Sequence, residues 1–206
     1  MIRRFTLVLS FLLLCLPLWV NAAGNDKARQ IFENCLKQIE NPSGVSMDYE
    51  LKITSLFTQT GHAIIKGNKT LTETKNGKVW FNGTTGWWLN LKKNEVDVFD
   101  NSYKKHISLS KQLDIIKTNC TFTLEREDAT NYFIRLKVKK GSSDINECTA
   151  LIDKKTYAPS QLRFKWKVFW FTVNISKLKL GNYPDTIFTF CSKDYPQVKF
   201  FDKRKK

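Results

Sequence analysis

Apolar and polar residues alternate along most of the chain after residue 45, which is the pattern of β-strands with one buried face. Between Met47 and Ile53, every second residue is apolar and the residues between them are polar or charged. The alternation returns in later segments, namely 96–98, 122–124, 132–138 and 162–166. Turn-forming pairs such as Asn76-Gly77 and Asn82-Gly83 separate these segments at the spacing of a meander. The pattern predicts about 10–11 antiparallel strands.

Two segments have helical spacing instead. Apolar residues recur every three or four positions between Asp26 and Glu40, and the sequence Asn-Pro-Ser-Gly at 41–44 ends the pattern. The shorter segment Ser108–Ile116 has the same spacing. We therefore expect two amphipathic helices, each with one apolar face that must pack against the sheet.

A sheet with this many strands cannot stay flat, because strand twist accumulates and curls it towards a barrel. If the apolar registers all point inward, they line a common hollow, and the apolar faces of the two helices cover it. The predicted fold is therefore mainly β (α+β): an unclosed, strongly curved antiparallel β-barrel around a hydrophobic cavity, with a helical lid.

The predicted cavity lining is the apolar register of the strands. It comprises Met47, Tyr49, Leu51, Ile53, Phe81, Trp87, Leu89, Val96, Val98, Phe122, Leu124, Ile134, Leu136, Leu162, Phe164, Trp166, Phe169, Phe171 and Val173. The predicted lid comprises Ile31, Phe32, Cys35, Leu36 and Ile39 of the first helix, with Leu109 and Leu113 of the second. An interior filled by its own side chains is the alternative.

The stretch 78–91 collects aromatic residues that must serve a core, an interface or a binding surface. If alternation runs unbroken through it, Phe81 and Trp87 face the cavity, whereas Trp80 and Trp88 lie on the opposite face.

The first 22 residues have the features of a secretory signal. Arg3 and Arg4 precede an apolar run from Phe5 to Val20, and Ala22 offers a cleavage site. We expect export, with residues 23–206 forming one domain. An uncleaved membrane anchor is the alternative, although the run is shorter than a bilayer span requires.

The chain carries a net charge of +15, which favours anionic partners such as nucleic acid, a membrane surface or an acidic protein. Lysines and aromatic rings alternate, however, so charge and ring lie on opposite faces of a strand. Nucleic-acid surfaces combine the two on one face. We therefore expect no nucleic acid.

The sequence contains no recognisable catalytic or metal-binding pattern. His62 and His106 are the two histidines, and there is no HExxH motif, Cys/His ligand spacing, GxSxG elbow or phosphate loop. The carboxylates lie mostly in the polar registers of the strands. We therefore expect no enzymatic activity, metal or cofactor.

Three segments carry more specific motifs. Residues 63–100 read AIIKGNKTLTETKNGKVWFNGTTGWWLNLKKNEVDVFD, residues 154–159 contain a Lys-Lys-Thr and a proline, and residues 188–204 contain Phe-Thr-Phe, Tyr-Pro, a valine and Asp-Lys-Arg. These resemble, in order and spacing, the motifs of the outer-membrane lipoprotein carrier (LolA) family.

The resemblance implies a periplasmic chaperone that shuttles lipoproteins, held by their acyl chains, to the outer membrane. The implied partners are acylated lipoprotein cargo, an inner-membrane lipoprotein-releasing ABC transporter, and an outer-membrane acceptor or the membrane surface, with the carrier a monomer. The chain departs from the family at Asn82, usually Asp, and at Gly86, usually larger. Lys66 and Lys69 occupy the strand on which well-studied carriers use an arginine to latch the lid, so no latch residue is assigned.

Four cysteines follow the leader: Cys35, Cys120, Cys148 and Cys191. They allow two disulfides in three connectivities, or four reduced thiols. In a meander, Cys120 and Cys148 flank an intervening strand and lie about 10 Å apart, which is beyond the reach of a disulfide.

Three other functions stay open. The same fold could serve a sensor or lipid-transfer protein for another amphiphile. A secreted hydrolase would need a carboxylate or histidine constellation in a cleft, and a rigid adhesion domain would have a filled interior without a lid.

Overall fold

The computed structural model describes residues 16–53, 57–100, 118–139 and 145–204. Within them the chain forms one α-helix, α1 (Leu16–Ile39), and twelve strands. The strands are β1 (Val45–Ile53), β2 (Phe57–Lys66), β3 (Lys69–Thr74), β4 (Gly77–Phe81), β5 (Thr85–Asn90), β6 (Glu95–Asp100), β7 (Cys120–Glu127), β8 (Asn131–Val138), β9 (Ile145–Asp153), β10 (Pro159–Trp166), β11 (Phe169–Leu180) and β12 (Lys199–Asp202). Two 3-10 turns, Asp185–Phe188 and Ser192–Asp194, precede β12.

All twelve strands belong to one sheet, in the order β12-β6-β5-β4-β3-β2-β1-β11-β10-β9-β8-β7. The sheet is curved and unclosed, with β7 and β12 at its edges. The predicted mainly-β, unclosed architecture is confirmed. The strand order departs from a simple antiparallel meander in two places, because β1 lies beside β11 and because β12 pairs with β6 in parallel.

Helix α1 is the predicted first helix, and in the structure it begins at Leu16, ten residues before the predicted start at Asp26. The predicted apolar face is confirmed, since Ile31, Phe32, Cys35, Leu36 and Ile39 are all buried. The second predicted helix, with the lid residues Leu109 and Leu113, lies outside the described residues.

The two faces of the sheet have different covers. Helix α1 packs on one face, which we call the helix face, where Phe32 contacts a cluster that includes Phe122 and Ile134. The opposite face, which we call the tail face, is covered over β3–β6 by residues 182–198, which we call the tail segment. Cross-strand partners share a face, so the strand registers assign every strand residue to one of the two.

The predicted turn at the Lys-Lys-Thr motif connects β9 to β10, and Asp153 organises it. Oδ1 of Asp153 accepts hydrogen bonds from the backbone N–H groups of Lys155 and Thr156 and from the Thr156 hydroxyl, at 2.7–3.0 Å. A carboxylate that accepts such bonds stabilises a tight turn locally. The Thr156 and Lys155 bonds also lower the pKa of Asp153.

Candidate functional site

The helix face of β7–β9 is a packed core. Phe122, Ile134 and Leu136 are at most 5% exposed, and the ring of Phe122 lies 5.5 Å from that of Phe32 on α1. Leu124 and Leu162 pack at the margin of the same cluster. The helix therefore fills this part of the predicted hollow with its own side chains.

The helix face continues beyond α1 as a surface of partly exposed apolar side chains, which we call the open apolar face. Strand registers bring its members together, since Phe164 pairs with Phe171 and Leu51 pairs with Val173. The rings of Phe164 and Phe171 stack at 5.2 Å with 2° between their planes. The described side chains of this surface are Leu51, Ile53, Phe57, Phe164, Phe169, Phe171 and Val173.

Two members of this surface are half-exposed, with Phe57 and Phe169 each at 47%. The backbone of Trp166 pairs with Phe169, which places Trp166 in the same register. Along β1 the exposure declines, because Tyr49 is half-buried and Met47 is buried. The structure thus collects most of the predicted lining residues on one continuous face.

The reverse side of the same strands is polar. Gln161 donates to Oδ1 of Asn174, and Asn174 donates to Glu50, both at 2.9 Å, in a hydrogen-bonded row across β10, β11 and β1. Nearby, Asp48 forms an ion pair with Lys177 at 2.9 Å and a hydrogen bond with Nδ1 of His62 at 2.8 Å. These two partners lower the pKa of Asp48.

An open depression of about 730 Å³ lies among these polar groups, lined chiefly by side chains of β1, β2, β3 and β11. Its lining includes the charged side chains of Asp48, Glu50 and Glu73 beside the ring of Tyr49, and burying those charges against an acyl chain would be costly. Among the described residues, no group of three histidines, cysteines or carboxylates is placed to hold a metal ion.

Four predicted lining residues lie on the tail face instead: Trp87, Leu89, Val96 and Val98. The register pairs Phe81 with Gly86 and Trp80 with Trp87, so odd residues of β4 share a face with even residues of β5. The expectation that alternation runs unbroken through the turn is therefore wrong. The turn that follows Phe81 shifts the pairing by one residue, and such a shift moves every side chain of the next strand to the other face.

The turn itself is built by Asn82. Its Oδ1 accepts hydrogen bonds from the backbone N–H groups of Thr84 and Thr85 at 3.1 and 2.9 Å. The amide oxygen thus makes the bonds that the family's usual aspartate could make at this position.

Gly86 has a steric reason to lack a side chain. A Cβ atom there would lie 2.2 Å from ring atoms of Phe99, its register partner on β6. Phe99 stacks against Phe81 with 6.4 Å between ring centroids, and both rings are buried. The departure from the family pattern at Gly86 therefore makes room for this aromatic pair.

The tail segment covers Trp80 and Trp87 with aromatic side chains of its own. Phe188 is fully buried there, and Phe190 is buried against Trp80 at 5.2 Å between ring centroids, edge to face. Tyr195 lies 5.8 Å from Trp80 on the same surface. The closing Phe-Thr-Phe and Tyr-Pro motifs thus cover the reverse side of the sheet.

Among the described residues, Lys66 and Lys69 contact the tail segment rather than α1. Nζ of Lys66 donates to the backbone carbonyl of Tyr183 at 2.7 Å, and both lysines form ion pairs with Asp185 at 3.0 and 2.6 Å. The two lysines lower the pKa of Asp185. Alternation alone could have placed both lysines on the tail face, but it could not reveal their partner more than a hundred residues away.

Three thiols meet in the core beneath α1. Cys35 and Cys120 belong to the buried cluster and Cys148 packs against it, whereas Cys191 is exposed. All four are free thiols. Strand β8 separates Cys120 from Cys148, as predicted, because Cys120 pairs with Val138 and Cys148 with Leu136. Burial raises the pKa of Cys35 and Cys148 to about 12.

Within the described residues, no helix is both long enough and apolar enough to cross a bilayer.

Comparison with protein families gives a match over residues 18–167, well over half of the chain, to the family described as outer membrane lipoprotein carrier protein LolA. Comparison with curated proteins gives no match.

Comparison with solved structures gives similar chains at low sequence identity. An uncharacterized conserved protein from Thermus thermophilus superimposes with a TM-score of 0.60 at 9% identity, over 86% of this chain and 99% of its own. A putative outer membrane lipoprotein-sorting protein domain from Vibrio parahaemolyticus gives a TM-score of 0.46 at 9% identity, over 80% and 97% of the two chains. A LolA superfamily protein from Nitrosomonas europaea gives 0.40 at 13% identity, over 79% and 97%.

Proposed function

The chain belongs to the outer membrane lipoprotein carrier protein LolA family, and we propose that it is a non-enzymatic periplasmic carrier. It binds the acyl chains of lipoproteins on its apolar sheet face and shuttles the lipoproteins from the inner to the outer membrane. Residues 1–22 direct its export, and residues 23–206 form the single carrier domain.

The open apolar face is the observation that carries this proposal. Contiguous apolar surfaces on soluble domains mark sites that bind a partner or a ligand. Here the stacked Phe164 and Phe171 rings and the half-exposed Phe169 continue the same face that α1 buries. A polar hydrogen-bonded row backs the same strands, so the two faces are chemically distinct.

Acyl chains fit such a face because their burial needs no polar partner. Burial stabilises by ~0.8 kcal/mol per methylene, so moving one 16-carbon chain from a membrane into water costs roughly 12 kcal/mol. A carrier that covers most of a chain offsets most of that cost. Lipoprotein exchange between two membranes across water then becomes feasible.

Helix α1 is the movable cover in this proposal. One of its polar contacts within the described residues is a 3.1 Å ion pair between Lys27 and Glu127, whose side chains are 49% and 40% exposed. Exposed pairs of this kind contribute little stability, because water and salt screen both charges. The contacts of Phe32 and Leu36 are apolar, and acyl chains can replace them with contacts of the same kind.

The remaining partners follow from the family. We infer that an inner-membrane lipoprotein-releasing ABC transporter loads the carrier, and that an outer-membrane acceptor or the membrane surface unloads it. Binding must be reversible for both steps. The carrier acts as a monomer.

The test is to isolate the mature chain from a bacterial periplasm and to identify bound material by native mass spectrometry. Co-purified acylated peptides support the carrier, whereas free phospholipid indicates a lipid-transfer protein. A chain that carries nothing and takes up no acylated peptide contradicts both.

Two neighbouring substitutions on β11 sharpen the test. Val173→Glu places a charge on the open apolar face and should abolish uptake of an acylated peptide. Thr172→Glu places the same charge on the polar face and should leave uptake unchanged. Equal losses from both variants would contradict the proposed site.

A further inference from the structure

The β10–β11 hairpin ends in an exposed apolar tip. Trp166 pairs with Phe169 in the ladder, which leaves Lys167 and Val168 as a two-residue turn. Val168 is 76% exposed, the highest value among the exposed large apolar residues of the described chain. Valine is a residue that folding normally buries, so its place at the outermost point of a hairpin suggests a partner.

Other apolar side chains surround this tip. Ile53 pairs with both Phe171 and Phe57, so the end of β1 and the start of β2 lie beside the hairpin. The half-exposed rings of Phe57 and Phe169 therefore lie at the same end of the sheet as Val168. Phe57, Val168 and Phe169 together form an apolar rim at this end of the open apolar face.

The hairpin itself carries charges of one sign, and Glu147, the register neighbour of Lys165 on β9, forms an ion pair with Arg135. Between Arg163 and Trp170 the sequence contains three basic residues and no acidic residue. The guanidinium of Arg163 lies 4.9 Å from the ring centroid of Trp170, and Nζ of Lys165 lies 5.9 Å from it. Lys167 is exposed in the turn.

This combination matches the chemistry of an anionic bilayer surface. Apolar side chains enter the boundary between headgroups and acyl chains, while basic groups remain at the level of the lipid phosphates. Aromatic residues are enriched at that depth, because one end of the ring system is apolar and the other tolerates water. A soluble acidic protein would satisfy the charges but would not require the exposed valine at the tip.

We propose that the β10–β11 hairpin tip docks this protein onto anionic lipid membranes, with Val168 inserted and Arg163, Lys165 and Lys167 facing the lipid phosphates. The proposal rests on the carrier function and deepens it, because docking through the hairpin tip brings the adjacent end of the open apolar face to the membrane. Cargo can then pass between the bilayer and the protein without crossing bulk water.

The test measures binding of the mature chain to vesicles by flotation, with phosphatidylglycerol–phosphatidylcholine vesicles compared with pure phosphatidylcholine. We expect binding to the anionic vesicles that weakens with salt. Val168→Glu should reduce the affinity by about tenfold or more, since it removes valine burial and adds repulsion. Lys167→Gln should reduce it about fivefold and flatten the salt dependence.

Matched control positions lie at the far end of β11, away from the hairpin tip. Leu180 is 56% exposed and Lys179 is exposed beside it, so Leu180→Glu and Lys179→Gln repeat the two changes away from the tip. Both should leave vesicle binding unchanged. Full binding by Val168→Glu, equal losses at Leu180, or no preference for anionic vesicles would overturn the proposal, as would a chain that binds no vesicles.

Uptake of a fluorescent diacylated cysteinyl peptide, measured without vesicles, separates the two proposals. Val168→Glu should still take up the peptide. This result would show that the variant is folded and that its open apolar face is intact. If the wild-type chain docks through the hairpin but takes up no acylated peptide, the carrier function fails and the docking site stands.

Discussion

Nζ of Lys66 donates a hydrogen bond to the backbone carbonyl oxygen of Tyr183 across 2.7 Å. The bond joins the end of β2 to the tail segment, and Asp185 neutralises the same ammonium at 3.0 Å. Lys66 lies on the strand where the family resemblance suggests a lid latch, but it contacts the tail segment on the tail face of the sheet. The tail is thus attached by these polar contacts in addition to its buried aromatic rings.

Replacing Lys66 with methionine should loosen the tail segment. The change keeps the apolar stem but leaves the Tyr183 carbonyl without its donor, so we expect the free energy of unfolding to fall by about 1 kcal/mol. Urea unfolding measures the loss, and hydrogen exchange at residues 183–190 should rise. Lys69→Met, which removes an ion pair to the exposed Asp185 carboxylate, is the control and should cost less. Equal effects would contradict the special role of Lys66.

Gly86→Ala should destabilise the fold by about 1–3 kcal/mol. The added methyl lies 2.2 Å from the Phe99 ring, and overpacking of a buried site carries a cost of this order. Thermal unfolding detects it as a lower Tm. Phe99→Ala in the same chain removes the clash, so the double variant should be more stable than the sum of the two single effects predicts. Simple additivity would show that the clash is not the cause.

Thiol reactivity should report the position of α1. Cys191 should react with a thiol reagent at once, because it is exposed. Cys35 and Cys148 should react slowly at neutral pH, since burial raises each pKa to about 12 and only the thiolate is nucleophilic. Mass spectrometry of labelled peptides measures both rates.

Bound acyl chains should change the rate at Cys35. If they displace α1, as proposed, an acylated peptide accelerates labelling of Cys35 on the helix. An unchanged rate with cargo bound would show that α1 stays in place.

The turn at Asp153 should contribute stability that depends on pH. Hydrogen bonds from Thr156 and Lys155 hold the pKa of this carboxyl below its usual value of 3.8. Because the folded pKa is lower than the unfolded one, the contribution is complete above the unfolded pKa and disappears as pH falls through the folded pKa.

Asp153→Ala should therefore differ most from the wild type at neutral pH and approach it in strong acid. Urea unfolding across this range measures the difference. Asp153→Asn keeps an oxygen acceptor and loses the titration, so its stability should lack this pH dependence. A constant gap between Asp153→Ala and the wild type would contradict the assignment.

Much of the fold could be predicted from local sequence, because alternation depends only on neighbouring residues. The amphipathic face of α1, the strands around Met47–Ile53 and Tyr132–Val138, and the separation of Cys120 from Cys148 by β8 all follow from that pattern. Local alternation also predicted the apolar registers of β1, β10 and β11, and the structure places Leu51, Phe164 and Val173 of these registers on one face.

The faces of β5 and β6 could not be predicted in the same way. Their assignment depends on the turn at Asn82, where one shift in pairing moves Trp87 and Val98 to the opposite side. The tail segment adds a second apolar cover, so both faces of β4 are buried, with Trp80 on one and Phe81 on the other. A single-face pattern does not anticipate a strand that is buried on both sides.

The sequence by itself determined which side chains avoid water and with what period, because burial preference and alternation are properties of short segments. Only the tertiary structure decided which cover each apolar face received, α1 or the tail segment, and which rings near Phe171, such as that of Phe169, stayed half-exposed. The cover that each face receives depends on contacts between residues far apart in the chain, such as Lys66 with Tyr183. These contacts stabilise the protein only after the sheet has brought the residues together.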